Sequence, residues 1–561
     1  PTDPSACGEV ALKTLPRIEQ VFVNAPEGMA SEEFERRLYL VRRRCRKAIH
    51  HHDRYFYVAS LSCRVIAYKG LVLPHNLPLF YRDLQDSRLA SALAVLHQRF
   101  STNTLPEWRL AQPFRYLAHN GELNSIQGNR NWAQARSYKF KSPHIGDMED
   151  IRPWVSMTGS DSCSLDNMLE ALVMGGMDLF RAMRLLIPPA WQNQPGIDPD
   201  LRAFYEYHAM HMEPWDGPAG IVLTDGRYGA CVMDRNGLRP ARYWITEDRR
   251  ILLGSEVGLC PVESGQIVRK GRLKPGEMLA VDTDKGELLM PAEIDARLAR
   301  RRPYKAWLQA HARRLDACLD EPEGLDHVRL PEPELARYQK TFGLSLEELE
   351  QVLRPLGENA KEPLGSMGDD TPLAVLSAQP RSLFDYFRQQ FAQVTNPPID
   401  SLRERIVMSL QTNIGKESSL HEIGPEHVQH VIMNSPVLSQ PKLRQLLSED
   451  MFGASHHFID LNVDKNLTLP EALDQICTQA EDAVREGRFL LMLSDRYLHE
   501  DKLPVHALLA TGAVHHHLVN EGLRCDANIL VETGTARDPH HFACLIGYGA
   551  TAVYPYLVYQ S

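Results

Sequence analysis

No stretch of about 18 apolar residues runs anywhere in this 561-residue chain, so no segment has the length and hydropathy to span a bilayer as a helix. The first residues also lack the charged-then-apolar order of a secretory signal. These two absences lead to an expected cytoplasmic location without membrane contact. Basic charge is not in surplus. Against 62 Lys and Arg stand 72 Asp and Glu, a net charge of −10, which gives no footprint for nucleic acid. The ten cysteines, at 7, 45, 63, 163, 231, 260, 318, 477, 525 and 544, include no C-x-x-C pair and no tight Cys/His spacing. That argues against a disulfide framework and a zinc site, and leaves reduced, mostly buried thiols as the expectation. Internal repeats and low-complexity tracts are also missing. What is present is an ordinary soluble composition, 43% apolar and 24% charged. The length is too great for one core and suits roughly two to four domains.

Between Ser31 and Ile49, Phe34, Leu38, Val41, Cys45 and Ile49 recur at helical spacing, with Arg36, Arg37, Arg42, Arg43, Arg44, Arg46 and Lys47 in other positions. This predicts an amphipathic helix with a solvated basic face. Short apolar runs at 56–61 and 65–68 predict a pair of strands. Residues 220–224 and 228–233 flank Asp225-Gly226, a dipeptide suited to the positive φ of a tight turn, and predict a hairpin, with a further strand at 278–282. From 288 to 375, charged helical segments broken by prolines, such as 293–302 and 344–353, read as a connector. Ser382 to Val394, with Leu383, Phe384, Phe387, Phe391 and Val394 on one side, predicts a capped helix. Beyond it, apolar strands at 489–493, 527–531 and 551–554 alternate with helices at 508–520 and 539–546, the pattern of a parallel sheet covered on both faces. Gly547-Tyr548-Gly549 lacks the third glycine of a dinucleotide fingerprint and leads into a strand, so it reads as a packing turn. Histidine runs at 50–52, 515–517 and 540–541 read as surface or packing residues, since consecutive side chains on a helix point apart. The expected fold is an α+β sandwich of antiparallel sheets with flanking helices, incomplete, over 1–287, followed after the connector by an α/β domain with a parallel sheet over 376–561.

Two short motifs carry chemistry: His97-Gln-Arg-Phe-Ser-Thr-Asn-Thr104 and His119-Asn120-Gly121-Glu122. Arg99 can grip a carboxylate through two charge-assisted contacts. Asn120 and the backbone N–H of Gly121 can offer two donors to a developing oxyanion. An amidotransferase site fits these parts. A nucleophile is the missing one, because no Cys, Ser or Thr sits in an evident activating context.

These residues resemble the class II glutamine amidotransferases. Longer runs extend the resemblance nearly end to end, to the glutamate synthase large subunits: LPRIEQVFVNAP (15–26), AQPFRYLAHNGELN (111–124), TGSDSCSLDNMLE (158–170), MHMEPWDGPAG (210–220), DRNGLRPARY (234–243), YFRQQFAQVTNPPIDSLRE (386–404) and RDPHHFACLIGYGATAVYPYL (537–557). Members of that family open with a catalytic cysteine whose α-amino group is the base. Pro1 is not that residue, and Cys7-Gly8 is followed by residues that resemble an internal segment of the family. The resemblance therefore implies a piece that lacks the opening of its amidotransferase domain and the flavin-binding synthase domain, and that is inactive alone.

By the same resemblance Arg99 holds the substrate carboxylate, with Thr102 and Asn103 beside it. Asn120 and Gly121 form the oxyanion hole. Asp161 pairs with the α-amino group of glutamine, against a plainer reading as an Asx-turn residue. Asp234 to Pro240 is expected to be a structural turn with Gly237 at positive φ. Arg239, Ser255 and Glu256 would support the site through other residues, and no metal ligands are expected. The implied parent hydrolyses glutamine, channels ammonia to 2-oxoglutarate and forms glutamate by reductive amination. Its FMN and iron–sulfur cluster would lie outside this piece. Implied partners are glutamine, an FMN-binding synthase domain of the same chain and a small NAD(P)H-oxidising subunit carrying FAD and iron–sulfur clusters. The alternatives are another class II amidotransferase, disfavoured because 365–561 shows no phosphoribosyl or sugar-phosphate motif, and a non-catalytic scaffold.

Overall fold

The computed structural model describes residues 2–100, 105–146, 148–256, 258–315, 329–361, 372–388, 399–448 and 455–561. They form two compact units: the chain up to Ala306 together with 399–408 and Ser418–Ile423, and the remainder.

In the first unit, β1 (Leu117–Gly121), β2 (Ala219–Thr224) and β3 (Tyr228–Met233) come first. Then follow β4 (Arg242–Thr246), β5 (Ile251–Gly254), β6 (Ile267–Arg272), β7 (Met278–Asp282) and β8 (Glu287–Leu289). They build two antiparallel sheets, β1-β2-β3-β7-β8 and β5-β4-β6. The expected β2–β3 hairpin forms. Gly226 takes φ +95°, and Asp225 Oδ1 accepts the N–H groups of Arg227 (2.9 Å) and Tyr228 (2.7 Å). Cys231, Met233 and Leu279 from the larger sheet share a core with Tyr243 of β4 and Leu273 after β6.

The helix Ser31–Ile49 has its predicted limits, but its basic face is not simply solvated. Arg42 pairs with Glu170, their side chains 12% and 5% exposed. Buried Arg43 donates to the carbonyls of Ile151 and Pro153. Glu35 on the same helix pairs with Arg115, both buried. For Arg42 the cause is the helix Asp161–Met174, which packs against it and brings Glu170 with it. The strands expected at 56–61 and 65–68 do not form. Two donors of the second run go to side chains instead, Ala67 N–H to Ser60 Oγ (3.0 Å) and Val65 N–H to Ser62 Oγ (3.1 Å), and between the runs Arg64 N–H goes to Ser62 Oγ (3.0 Å) and Cys63 N–H to Glu35 (2.8 Å). Such local bonds compete with a ladder.

The second unit holds β9 (Arg313–Leu315), β10 (Thr412–Ile414), β11 (Val431–Met433), β12 (His456–Asp460), β13 (Asn462–Asp464), β14 (Leu490–Ser494), β15 (Lys502–Pro504), β16 (Asn528–Glu532) and β17 (Ala552–Tyr554). Strands β12-β14-β16-β17 make a wholly parallel sheet. Its residues alternate between two cores. Ile459, Leu491, Leu493, Ile529 and Val531 face the helices Leu469–Arg485, Ala507–Asn520 and Pro539–Gly547. Leu490, Met492, Leu530 and Tyr554 face Tyr338, Leu443 and Tyr556. Burial on both faces is why these strands read as continuous apolar runs.

The helix expected over 382–394 is only a 3₁₀ turn, Leu383–Tyr386, within the described residues. Ser382 makes no cap bond, and Phe387 is extended at φ −104°, ψ 133°. Phe384 fixes that turn by stacking on His541, with ring centroids 4.3 Å apart, and meeting His506 edge-on. Phe391 and Val394 lie outside the described residues. The connector region carries helices Pro291–Ala299, Tyr304–His311, Glu332–Thr341 and Leu346–Glu348. Gly549 sits at φ +112° with the His515 ring where a Cβ would go, which is a packing turn.

Of nine described free cysteines only Cys231, Cys477 and Cys525 are buried, while Cys45, Cys63 and Cys260 are exposed, so the thiols are less hidden than expected. Cys318 lies outside the described residues. His515 is buried and accepts from Arg524 Nε (2.9 Å), His517 Nε2 lies 2.7 Å from Glu481, and His540 Nε2 lies 3.0 Å from the Phe384 carbonyl. Among the described residues no helix is long and apolar enough to cross a membrane.

Candidate active site

Strand β1 delivers Asn120 and Gly121 opposite Gly220 and Ala219 of β2. Gly121 adopts φ +146°, and a Cβ there would fall 1.7 Å from the Pro218 carbonyl oxygen. Gly217 answers it at φ +150°, its own Cβ position 2.0 Å from the Glu122 oxygen. Only glycine tolerates these approaches. They let residues 216–218 cross the end of β1, held by Glu122 N–H to Pro218 O (2.9 Å) and Ser125 N–H to Asp216 O (3.2 Å). Asn120 is exposed, and its amide bonds to none of the described residues.

Asp161 opens the helix Asp161–Met174, whose N-cap Ser160 accepts the Cys163 N–H at 3.1 Å. Its Oδ2 accepts the N–H of Leu123 at 2.9 Å and its Oδ1 the N–H of Ser162 at 2.7 Å. A carboxylate in the first turn also lies in the favourable field of the helix N-terminus. The side chain stays 20% exposed, so one edge is open to a cation beside the β1 end.

The turn after β3 supports this geometry from behind. Asp234 accepts the N–H groups of Ala219 (2.9 Å), Asn236 (2.8 Å) and Gly237 (3.0 Å), and Gly237 takes φ +63° as expected. Ala219 is the partner of Gly121 in the ladder, so the turn holds the strand that holds the glycine. Burial pushes the Asp234 carboxyl up, against the three N–H groups that stabilise its charge. Arg239 lies across Gly220, its Cβ 3.4 Å from where a Cβ of that glycine would stand. Its Nε is buried and has no hydrogen-bond partner among the described residues.

Asn120, Gly121, Asp161 and Arg239 are thus brought together. Ser255 and Glu256 follow β5 in the smaller sheet, and no hydrogen bond or ion pair among the described residues joins them to those four. Arg99 is exposed in an irregular segment with no such bond either; its neighbour His97 feels the charge of His119, which sets the segment near β1. Thr102 and Asn103 lie outside the described residues. Cys7 packs against an apolar cluster that includes Phe80 and Trp108, and burial pushes its thiol up, as it does that of Cys163. An activated thiolate needs the opposite shift.

Two residues to which the sequence motifs gave no role complete the arrangement. His119 is buried on β1 with Nδ1 2.9 Å from Ser162 Oγ. Gln112 clamps its backbone, accepting the His119 N–H (2.7 Å) and donating to its carbonyl (3.2 Å).

The model of the glutamine amidotransferases class-II matches residues 1–307, more than half of the chain. The chain belongs to the class II glutamine amidotransferases. A second model, the glutamate synthase central domain, matches residues 337–561. The NADPH glutamate synthase large chain of Bacillus subtilis is 42% identical over 566 residues, covering all of this chain and 37% of that protein. The chloroplastic ferredoxin-dependent glutamate synthase of Spinacia oleracea is 42% identical over 572 residues, covering 35% of it. The NADPH glutamate synthase large chain of Azospirillum brasilense is also 42% identical, with 37% covered. The amidotransferase chain therefore spans about a third of the length of these relatives. A solved glutamine phosphoribosylpyrophosphate amidotransferase from B. subtilis shares 18% identity at a TM-score of 0.20 over 34% of this chain and 32% of that one, too slight to bear on the fold.

Proposed function

We propose that this chain is the glutamine-binding amidotransferase region and the central domain of a glutamate synthase large subunit. In this reading Asn120 and the Gly121 N–H stabilise the oxyanion of a tetrahedral intermediate, Asp161 holds the substrate ammonium, and Arg99, with Thr102 and Asn103, takes the α-carboxylate. Arg239, and more remotely Ser255 and Glu256, brace that set. The observation that carries it is the glycine at φ +146° next to an open Asn amide, with the N–H of Leu123, two residues on, donating to the Asp161 carboxylate. Two donors and a fixed anion suit an amino acid amide. The whole protein would hydrolyse glutamine, channel the ammonia to 2-oxoglutarate and form glutamate by reductive amination, in the cytoplasm or, as a name among the relatives indicates, in a plastid. It would act with an FMN-binding synthase domain and, in NAD(P)H-dependent forms, a small electron-supplying subunit.

The described residues hold no ligand group for the cluster, and the glycine turn at 547–549 does not fit the flavin phosphate. No group of three His, Cys, Asp or Glu among them is placed for a metal. The turn at Gly549 is filled by His515, and Arg524 donates to its carbonyl at 2.8 Å, leaving no phosphate cradle. Both groups are assigned to other parts of the parent.

The test is calorimetric titration of this chain with L-glutamate and L-glutamine. Binding that is lost in Asp161→Ala and in Arg99→Ala is the expected result. Binding of neither amino acid, or binding untouched by both substitutions, would reject the assignment.

A further inference from the structure

His119 and Gly121 stand on the same face of β1, as alternate residues of a strand must, with Asn120 on the other. The absent side chain of Gly121 leaves room that the His119 ring occupies, for a Cβ on Gly121 would lie 3.0 Å from Nε2. At its other end the ring meets Ser162 Oγ at 2.9 Å through Nδ1. Ser162 directly follows Asp161, and its hydroxyl lies 3.2 Å from Asp161 Oδ1. Nδ1 itself is 3.8 Å from Asp161 Oδ2, beyond direct hydrogen-bond reach, so the hydroxyl is the link. The Gln112 amide fixes the His119 backbone independently of the β2 ladder. The imidazole is therefore a spacer with one end under the proposed oxyanion donors and the other on the helix turn that carries the proposed ammonium clamp.

Its charge state suits that position. Burial lowers the imidazole below its usual range and Arg239 acts in the same direction, against Asp161 and the Pro218 carbonyl. His97, the other titratable group facing it, is also pushed down, first by burial and then by His119 itself. A cationic ring here would compete with a substrate ammonium for Asp161. A neutral ring leaves that carboxylate unspent.

We propose that His119 is a positioning residue that, through Ser162, sets the Asp161 carboxylate at the reach of the substrate α-amino group while seating Gly121. The proposal rests on reading Asp161 as the amino-group clamp. It predicts a defect tied to the amino group and not to the pocket at large.

Two measurements on this chain test it. Hydrogen exchange on the Leu123 amide, which donates to Asp161, reports the link without any ligand. In His119→Phe and in Ser162→Ala its protection should fall about tenfold, while amides of the β2–β3 ladder keep theirs. Titrations with L-glutamate and with glutarate, its analogue lacking the amino group, report the consequence. Each substitution should weaken L-glutamate about tenfold and glutarate less than twofold, the double variant no more than either single one. His119→Asn, whose amide reaches the place of Nδ1, should recover most of the loss. Equal weakening of both ligands, or unchanged Leu123 protection, overturns the proposal and leaves the glutamine reading standing. If Asp161→Asn in the wild-type background leaves the preference for L-glutamate over glutarate intact, the glutamine reading fails instead, and this proposal with it.

Discussion

The backbone N–H of Leu123 donates to Asp161 Oδ2 at 2.9 Å, which ties the turn after Asn120 and Gly121 to the first residue of the helix Asp161–Met174. A shift at either end is transmitted to the other, because β1 and this helix are also locked by Asp166, whose Oδ1 accepts the N–H groups of Tyr116 (2.7 Å) and Leu117 (3.1 Å). Burial raises the Asp166 carboxyl to about 6, with Glu170 adding to the effect.

Gly121→Ala should damage the site more than any other single methyl added near it. The new Cβ meets a backbone carbonyl, not a movable side chain, and the φ of +146° is hostile to any L residue. The φ alone costs about 1–3 kcal/mol, and the overlap with the carbonyl adds to it. Urea unfolding of the chain should show a loss of at least that size, with L-glutamate binding abolished.

Arg42→Met should cost about 3–5 kcal/mol, because it strands Glu170 as an unpaired buried carboxylate. Arg42→Met combined with Glu170→Leu removes both charges and should recover most of that loss. Denaturant midpoints of the two variants decide the matter, and a double variant no better than the single one would contradict the account.

Asp495 at the end of β14 predicts a pH effect in the second unit. Its side chain is buried, accepts from Thr533 Oγ1 (2.5 Å) and the Gly534 N–H (2.9 Å), and burial pushes its carboxyl up to about 7, with Glu532 acting in the same direction. The folded state then holds a proton that the unfolded chain, near 3.8, has lost. The stability this group contributes is full below about pH 4 and is lost as pH rises to about 7. Asp495→Asn should flatten that dependence and gain on the order of 2 kcal/mol at pH 8, read from thermal unfolding between pH 4 and 8.

How far the sequence reveals these features depends on where each partner lies. The β2–β3 hairpin is visible because Asp225 and Gly226 supply their own turn, and the parallel sheet because two-sided burial leaves apolar runs such as Leu490 to Leu493. The Asn120-Gly121 pair is visible because its chemistry sits in consecutive residues. Arg42 is misread as solvated because Glu170 lies 128 positions away. The absent strands at 56–61 and 65–68 have a local origin instead, since Ser60 and Ser62 take the N–H groups of Ala67 and Val65. His119 and Ser162 are 43 residues apart, and no periodicity announces that a histidine will fill the space left by a glycine two positions on.

In the complete protein, Asn120 and Asp161 should separate kinetically if their proposed roles hold. Asn120→Ala removes a donor whose value grows as charge develops on the amide oxygen, so kcat should fall about a hundredfold with KM nearly unchanged. Because the Asn120 amide bonds to none of the described residues, its removal orphans no partner among them, and circular dichroism should show a native fold. Asp161→Asn removes a counter-charge that a substrate ammonium needs in the ground and transition states alike, so the main effect should be a raised KM. Its single amide oxygen can keep either the Leu123 N–H or the Ser162 N–H but not both, so the circular dichroism control matters most for this variant. Steady-state glutaminase assays with circular dichroism controls separate these outcomes. A change in KM alone for Asn120→Ala would require the oxyanion role to be reassigned, and a change in kcat alone for Asp161→Asn would do the same for the ammonium clamp.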